Sequence, residues 1–332
     1  MSLRPTGSGR AMSPVVGVAL LVGIVVLLGV VFGGLAFGFV DRLDDLDRVE
    51  TLDDDNCPGF RVVSYEPPSF DGVNEQLRRN NCALWLRAGN VETDGSGRVT
   101  RWLDAGPNGF HASQSDAAMR PTLVPAGSTG IDHAAVDFEG SNQDTTDPSD
   151  TDGDVLRLDR DVSDLEVDAD TGLVIAAVVR TESFDRGGTW TVGEAGVDGR
   201  EFSMRTCSTY SMDTCDVEGD ASGHWRAQHW GSADVDFESA ATDDEWAVLV
   251  HAYDGETATV RVNGEPAAAE SVDLSLDSNR DVQVGRWERE AGDPYWYYDG
   301  QMAELLIFDQ SLTDEEVENV EGYLLAKFDV GP

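Results

Sequence analysis

Trp225, Trp230, Trp287, Tyr295, Trp296, Tyr297 and Tyr298 crowd the second half of this chain. Flat aromatic faces of this kind stack on sugar rings with little loss of conformational entropy. The first six form a candidate carbohydrate-contacting set. Two other readings stay open: alternate members of Tyr295 to Tyr298 fill a core ahead of Gly300, or exposed rings act as subunit contacts. A second cluster, Asp144, Asp147, Asp150, Asp152 and Asp154, lies in one loop around Gly153. Oxygen ligands on a glycine-bearing turn suit Ca²⁺, so Asp147, Asp150, Asp152 and Asp154 are its candidate ligands. The loop lacks the closing bidentate Glu of an EF-hand, and a solvated acidic insertion is the alternative. No other cofactor is expected.

Catalytic spacing is missing. Retaining glycoside hydrolysis needs two carboxyl groups roughly 5–5.5 Å apart, which a strand supplies as Glu-x-Asp-x-Glu or a close variant. Glu288-Arg289-Glu290 sits beside turn residues, and Glu166 to Asp170 reads as an acidic loop. The five histidines accompany no Gly-x-Ser-x-Gly elbow. The chain therefore reads as a binding or structural protein, with no catalytic residues. Cys57, Cys82, Cys207 and Cys215 are an even set without Cys-x-x-Cys spacing, which favours disulfides over a zinc or redox site. Three pairings are possible, and the sequence-local one, Cys57 with Cys82 and Cys207 with Cys215, is expected.

The elements that must position these residues are short strands. β-type runs at Ala83 to Arg87, Ala134 to Phe138, Leu173 to Arg180, Phe202 to Arg205, Trp246 to Tyr253, Thr257 to Val262, Asp281 to Gly285 and Met302 to Phe308 are separated by turn residues. Leu173 to Val179 is apolar on both alternations, as in a strand covered on both faces. Asp254-Gly255 predicts a type I′ hairpin between Trp246 to Tyr253 and the next strand, and Asn263-Gly264 a second reversal. Thr313-Asp314-Glu315-Glu316 is a capping box. It opens a short helix with Val317, Val320, Leu324 and Phe328 on one face.

The 332 residues carry 63 acidic and 23 basic side chains, a net charge of -40, and Lys327 is the only lysine. Such a surface repels nucleic acid. Abundant acid with scarce lysine is similar to proteins of salt-loving archaea, where dense salt screens self-repulsion. No charged side chain occurs between Arg10 and Asp41. As a helix, Pro14 to Val40 would reach roughly 40 Å, beyond the roughly 30 Å hydrocarbon core of a bilayer. Arg4 and Arg10 precede the segment and acids follow it, so the positive-inside rule places the larger part of the chain outside the cell. Ser13 and Pro14 suit a helix start. Gly29 with Gly33, and Gly34 with Gly38, have the small-xxx-small spacing that lets helices pack closely.

Two resemblances follow. Gly9-Arg10-Ala11-Met12-Ser13-Pro14-Val15-Val16-Gly17 resembles the N-terminus of archaeal type IV pilins. It implies a prepilin peptidase cut between Ala11 and Met12, directed by Arg10, with the apolar helix kept for the membrane and for self-association in a filament core. A glutamate near mature position five, usual in bacterial pilins, is absent. From about Ala83 to Phe328 the chain resembles laminin-G-like, concanavalin A-like lectin domains. The matches are Leu84-Trp85-Leu86, Val99 to Asp104 with Gly106-Pro107-Asn108-Gly109, Ala135 to Gly140, Trp246 to Gly255, Thr259 to Gly264 and Gly300 to Asp309. This implies an all-β, antiparallel jelly-roll sandwich, with glycans as partners.

The expected organisation is a leader at 1–11, an apolar helix and its extension at 12–48, a linker at 49–82 and the sandwich at 83–332. The expected role is a filament subunit that displays the sandwich for surface adhesion or sugar binding, at the cell surface, membrane-anchored or in a pilus; the alternatives are a membrane-anchored sugar-binding protein that never polymerises and, behind it, a surface glycosidase. Mass spectrometry of the native protein should give Met12 as its first residue, and an intact leader would count against pilin processing.

Overall fold

The strand that was apolar on both alternations, Leu173–Thr181 (β7), is covered on both faces: Leu173 to Val179 are all fully buried. The computed structural model describes residues 82–106, 108–140, 153–161, 171–183, 187–193, 201–207, 224–229, 233–237, 244–276, 281–288 and 295–331. The side chains at 160, 161, 207, 224, 233–237, 281, 288 and 295 fall outside that set. The leader, the apolar segment with Gly29, Gly33, Gly34 and Gly38, and Cys57, Asp147, Asp150, Asp152, Cys215 and Trp230 also lie outside the described residues. Among the described residues no helix is long and apolar enough to cross a membrane.

The strands before β7 are β1 (Cys82–Thr93), β2 (Val99–Asp104), β3 (Ala112–Ser113), β4 (Thr122–Val124), β5 (Ala135–Phe138) and β6 (Leu156–Asp161). After it come β8 (Gly188–Gly193), β9 (Glu201–Cys207), β10 (His224–His229), β11 (Ala233–Phe237), β12 (Trp246–Tyr253), β13 (Thr257–Val262) and β14 (Glu265–Ser271). The last are β15 (Asp281–Val284), β16 (Arg286–Glu288), β17 (Tyr295–Tyr297) and β18 (Gly300–Phe308), followed by helix α1 (Asp314–Phe328).

One antiparallel layer runs β14, β13, β12, β7, β18, β1, β2. The other runs β3, β6, β15, β8, β9, β10, β11, and the β2–β3 pairing joins the layers along one edge. Alternate side chains point to opposite faces of a strand. The inward set, including Leu86, Ile175, Leu249 and Leu305 from the first layer and Trp190, Phe202, Met204 and Trp225 from the second, forms one core. The other face of the first layer, including Trp85, Val174, Val178 and Leu306, packs against Val317, Val320, Leu324 and Phe328 of α1. The result is an antiparallel all-β sandwich closed by a single C-terminal helix.

Local chemistry explains the joints. The capping box forms: Thr313 Oγ1 accepts from Glu316 N–H while the Glu316 carboxylate accepts from Thr313 N–H. The type I′ turn sits at Asn263-Gly264, with φ of 50° and 91° and Val262 opposite Glu265. Asp254-Gly255 is not one. Only Gly255 of that pair has positive φ, and Asp254 Oδ1 instead accepts from the Glu256 and Thr257 amides at 2.9 and 2.7 Å. The aspartate side chain out-competed the two-residue loop by supplying its own acceptor.

Buried Glu321 of α1 ties the helix to this hairpin, accepting from Arg261 Nε and Gly264 N at 2.7 Å each. Removing one partner of a buried charged pair leaves the other unsatisfied. Glu321→Ala should therefore lower the unfolding free energy of the full chain by about 2–4 kcal/mol in denaturant titration, whereas Glu318→Ala, on the exposed side of the helix, should change it by less than about 0.5 kcal/mol.

Candidate functional site

The outward side of the second layer is polar yet buried. On β9 the sequence Glu201-Phe202-Ser203-Met204-Arg205 sends Phe202 and Met204 into the core, leaving Glu201, Ser203 and Arg205 on the opposite face. On the same grounds Thr189 and Thr191 of β8, Arg226 and Gln228 of β10 and Gln283 of β15 lie on that outer face. The registers line up Gln283, Thr191, Ser203 and Gln228 in one row across four strands. Arg205 lies opposite Arg226 in the next row.

The β16–β17 hairpin lies against this face. Gly188 permits the approach, since a Cβ there would come within 2.1 Å of Trp287 N. Trp287 and Trp296, opposite each other in the hairpin, stack with centroids 4.2 Å apart and planes at 12°. They form a cluster of their own, separate from the sandwich core. The Arg205 guanidinium lies 4.9 Å from the Trp296 ring centre and 5.8 Å from that of Trp287, within cation–π range. Glu201 Oε1 accepts from Trp287 Nε1 and Ser203 Oγ at 2.5 Å each. Gln283 Oε1 accepts from Arg286 Nε at 2.9 Å.

Two side chains in this field are left over. Both amide atoms of Gln228 and the Thr189 hydroxyl are buried with no hydrogen-bond partner among the described residues. Buried polar atoms are nearly always paired, and each exception costs about 1–3 kcal/mol.

The structure sorts the sequence-derived aromatic set. Trp287 and Trp296 meet on the outer face, but both are buried and stack on each other and under Arg205, so they do not form an exposed platform. Trp225 belongs to the sandwich core, with Phe202 and Met204, because its position on β10 has inward parity. Tyr297 is buried against Gly153, where any Cβ would strike its ring, and Tyr298 fills the core. Trp230 and the Tyr295 side chain lie outside the described residues. Sequence reasoning missed Glu201, Ser203, Arg205 and Gln228. Their signal was the strict polar–apolar alternation of β9, which reads as a solvated face until its burial is known.

Of the calcium candidates, only Asp154 is described. Its Oδ2 accepts from Glu139 N–H at 2.9 Å and its Oδ1 lies 3.8 Å from Arg98 Nη1, so it fastens the end of β5. Among the described residues no group of three or more His, Cys, Asp or Glu side chains is placed to hold a metal. Cys82 is fully buried and disulfide-bonded.

With this geometry in hand, known proteins can be compared. Residues 159–318 match a laminin-G-type family profile described as the Concanavalin A-like lectin/glucanases superfamily. That stretch runs from β6 into α1, within the antiparallel sandwich described above. No curated protein matches the chain. Among solved structures it is similar to the binding domain of Paraclostridial Mosquitocidal Protein 1, at 11% identity and a TM-score of 0.47, covering 74% of this chain and 53% of that one. It is also similar to the heptameric SAP-like pentraxin of Limulus polyphemus, at 14% identity and TM-score 0.43, covering 57% and 82%. A third is the CBM40 of Ruminococcus gnavus IT-sialidase, solved with α2,3 sialyllactose, at 13% identity and TM-score 0.39, covering 56% and 95%. The chain thus spans about half the length of the mosquitocidal binding domain it matches.

Burial, above all, pushes the Asp154 carboxyl up from 3.8 to about 6, against the Glu139 amide and Arg98, which favour the anion. Nearby Glu139 and Asp137 push in the same direction as burial. A raised folded-state value means that the fold holds the proton more tightly than the unfolded chain does. This stabilisation is complete below pH 3.8 and is lost as pH rises through about 6. Asp154→Asn removes the titration. Relative to wild type, the variant should gain about 1–2 kcal/mol of stability between about pH 4 and pH 7, read from paired denaturation curves at fixed salt.

Proposed function

We propose that this chain is a non-enzymatic, cell-surface lectin-like adhesion subunit whose glycan-binding region is organised on the outer side of the second layer. The observation that carries this reading is the row Gln283, Thr191, Ser203 and Gln228 beside the Arg205–Trp296–Trp287 stack, in which Gln228 lacks any partner among the described residues. Amides, hydroxyls and guanidinium groups arrayed next to indole rings are the groups that hydrogen-bond sugar hydroxyls and pack on sugar C–H faces. Binding without catalysis is supported by the sequence, in which no strand carries the Glu-x-Asp-x-Glu pair, or a close variant, that retaining glycoside hydrolysis uses.

The pilin-like N-terminus completes the proposal. With the leader removed after Ala11, the apolar helix anchors the chain and packs beside its copies, displaying the lectin-like domain outward. Support comes from the Arg10-Ala11-Met12-Ser13-Pro14 junction and the glycine spacing. The acidic surface suits a salty exterior, and disulfide-bonded Cys82 suits an oxidising one.

Glycan-array binding by the full-length protein should be detectable, and Arg205→Gln and Trp296→Ala should each weaken it at least tenfold, about 1.4 kcal/mol, with far-UV circular dichroism unchanged. Undiminished binding in both folded variants would remove the outer face from consideration. Electron microscopy of shed surface material should show the chain in filaments; dispersed monomers that need detergent would favour simple anchoring.

A further inference from the structure

A cleft of about 820 Å³ opens elsewhere, where the Arg87 to Asn90 part of β1 meets the loop after Asp104, His133, Glu304 of β18 and the end of α1 at Lys327. Nearly every charge around it is satisfied internally. Glu304 is buried and accepts from Trp85 Nε1 at 2.7 Å and Lys327 Nζ at 2.5 Å. Lys327 also donates to the Tyr323 hydroxyl at 3.0 Å. The Asp104 carboxylate accepts the backbone N–H groups of Trp85, Gly106 and Phe110. His133 Nε2 lies 2.9 Å from the Lys327 carbonyl oxygen.

Arg87 is the exception. It faces Glu304 in the β1–β18 register, yet both Glu304 oxygens are already engaged. Its guanidinium is held 4.5 Å from the centre of the Trp85 ring and has neither a carboxylate partner nor a hydrogen-bond acceptor among the described residues. By contrast Arg98, Arg101, Arg120, Arg180, Arg261 and Lys327 each lie beside an acid. An arginine oriented on an aromatic ring, open to a cleft and without an ion pair of its own has donors to spare for an incoming anion.

The chemistry narrows the anion. A planar guanidinium fork matches a carboxylate with two parallel hydrogen bonds. A single guanidinium without an acid bonded to it suits a monoanion better than a phosphate dianion. Asn90 donates its amide to the Leu103 carbonyl at 3.2 Å and keeps its own carbonyl oxygen for a hydroxyl donor. The volume is within the range of small-ligand sites, and the apolar lining is largely alanine methyl groups, which offers little to an apolar ligand. We propose that this cleft binds a carboxylate-bearing sugar of the uronic-acid type, held by Arg87. The site is separate from the outer face of the second layer and does not depend on that assignment.

The test is calorimetric titration of the detergent-solubilised full chain with glucuronate, its neutral methyl ester and N-acetylaspartate at constant chloride. Glucuronate should bind at least tenfold more tightly than the ester or N-acetylaspartate. Arg87→Gln should reduce glucuronate to the level of the ester with near-UV circular dichroism unchanged, while Trp296→Ala should leave it untouched. Equal binding of acid and ester, no binding of glucuronate, or wild-type affinity in folded Arg87→Gln would overturn the proposal. Equal binding of N-acetylaspartate would overturn the sugar assignment. Should Arg87→Gln fail to fold, the comparison of acid with ester on the wild-type chain decides.

Discussion

The fold depends on one strand that tolerates water on neither side. β7 is apolar through both parities, so the chain has to supply two covers, and it does so from distant parts of its length. β8, β9, β10 and β15 close one side across the main core. α1 closes the other, and its amphipathic stripe is what makes a single helix sufficient. The requirement for two covers also explains why the helix is secured at two points: a capping box fixes its start, and Glu321 locks its middle to the Asn263-Gly264 turn. A helix free to slide would uncover Val174, Val178 and Leu306 together.

Polar burial in this molecule follows two patterns. Around Trp85, Glu304, Lys327 and Tyr323, donors and acceptors are matched, and the network stiffens the junction of β1, β18 and α1. On the outer face of the second layer the match is partial: Glu201 and Gln283 are engaged, while the Gln228 amide and the Thr189 hydroxyl are not. A stabilising network has no use for leftover capacity, because an apolar residue of the same shape would do better. Leftover capacity beside stacked indoles and arginines is the feature on which the proposed glycan-binding role rests.

Much of the architecture was legible because it is written locally. Two-sided apolarity marked β7, and the Thr313 to Glu316 pattern marked the helix start. The sandwich class followed from the strand-and-turn rhythm and the family resemblance. Parity was not legible. Whether Trp225 points into the core and Trp287 out of it depends on registers between strands far apart in sequence. A one-residue slip would exchange the two faces. The Asp254-Gly255 turn shows the same limit at short range, since the side chain of Asp254 serves two amides and selects a different loop. The outer-face site escaped notice because alternating polar residues look the same whether water or protein covers them.

Lys327, the only lysine, spends its ammonium on Glu304 and Tyr323 and has 22% of its side chain exposed. The described surface therefore presents almost no reactive primary amine. Acylating reagents, amine-directed cross-linkers and lysine-specific proteases will find this domain nearly inert, and any labelling strategy for it has to go through carboxylates instead.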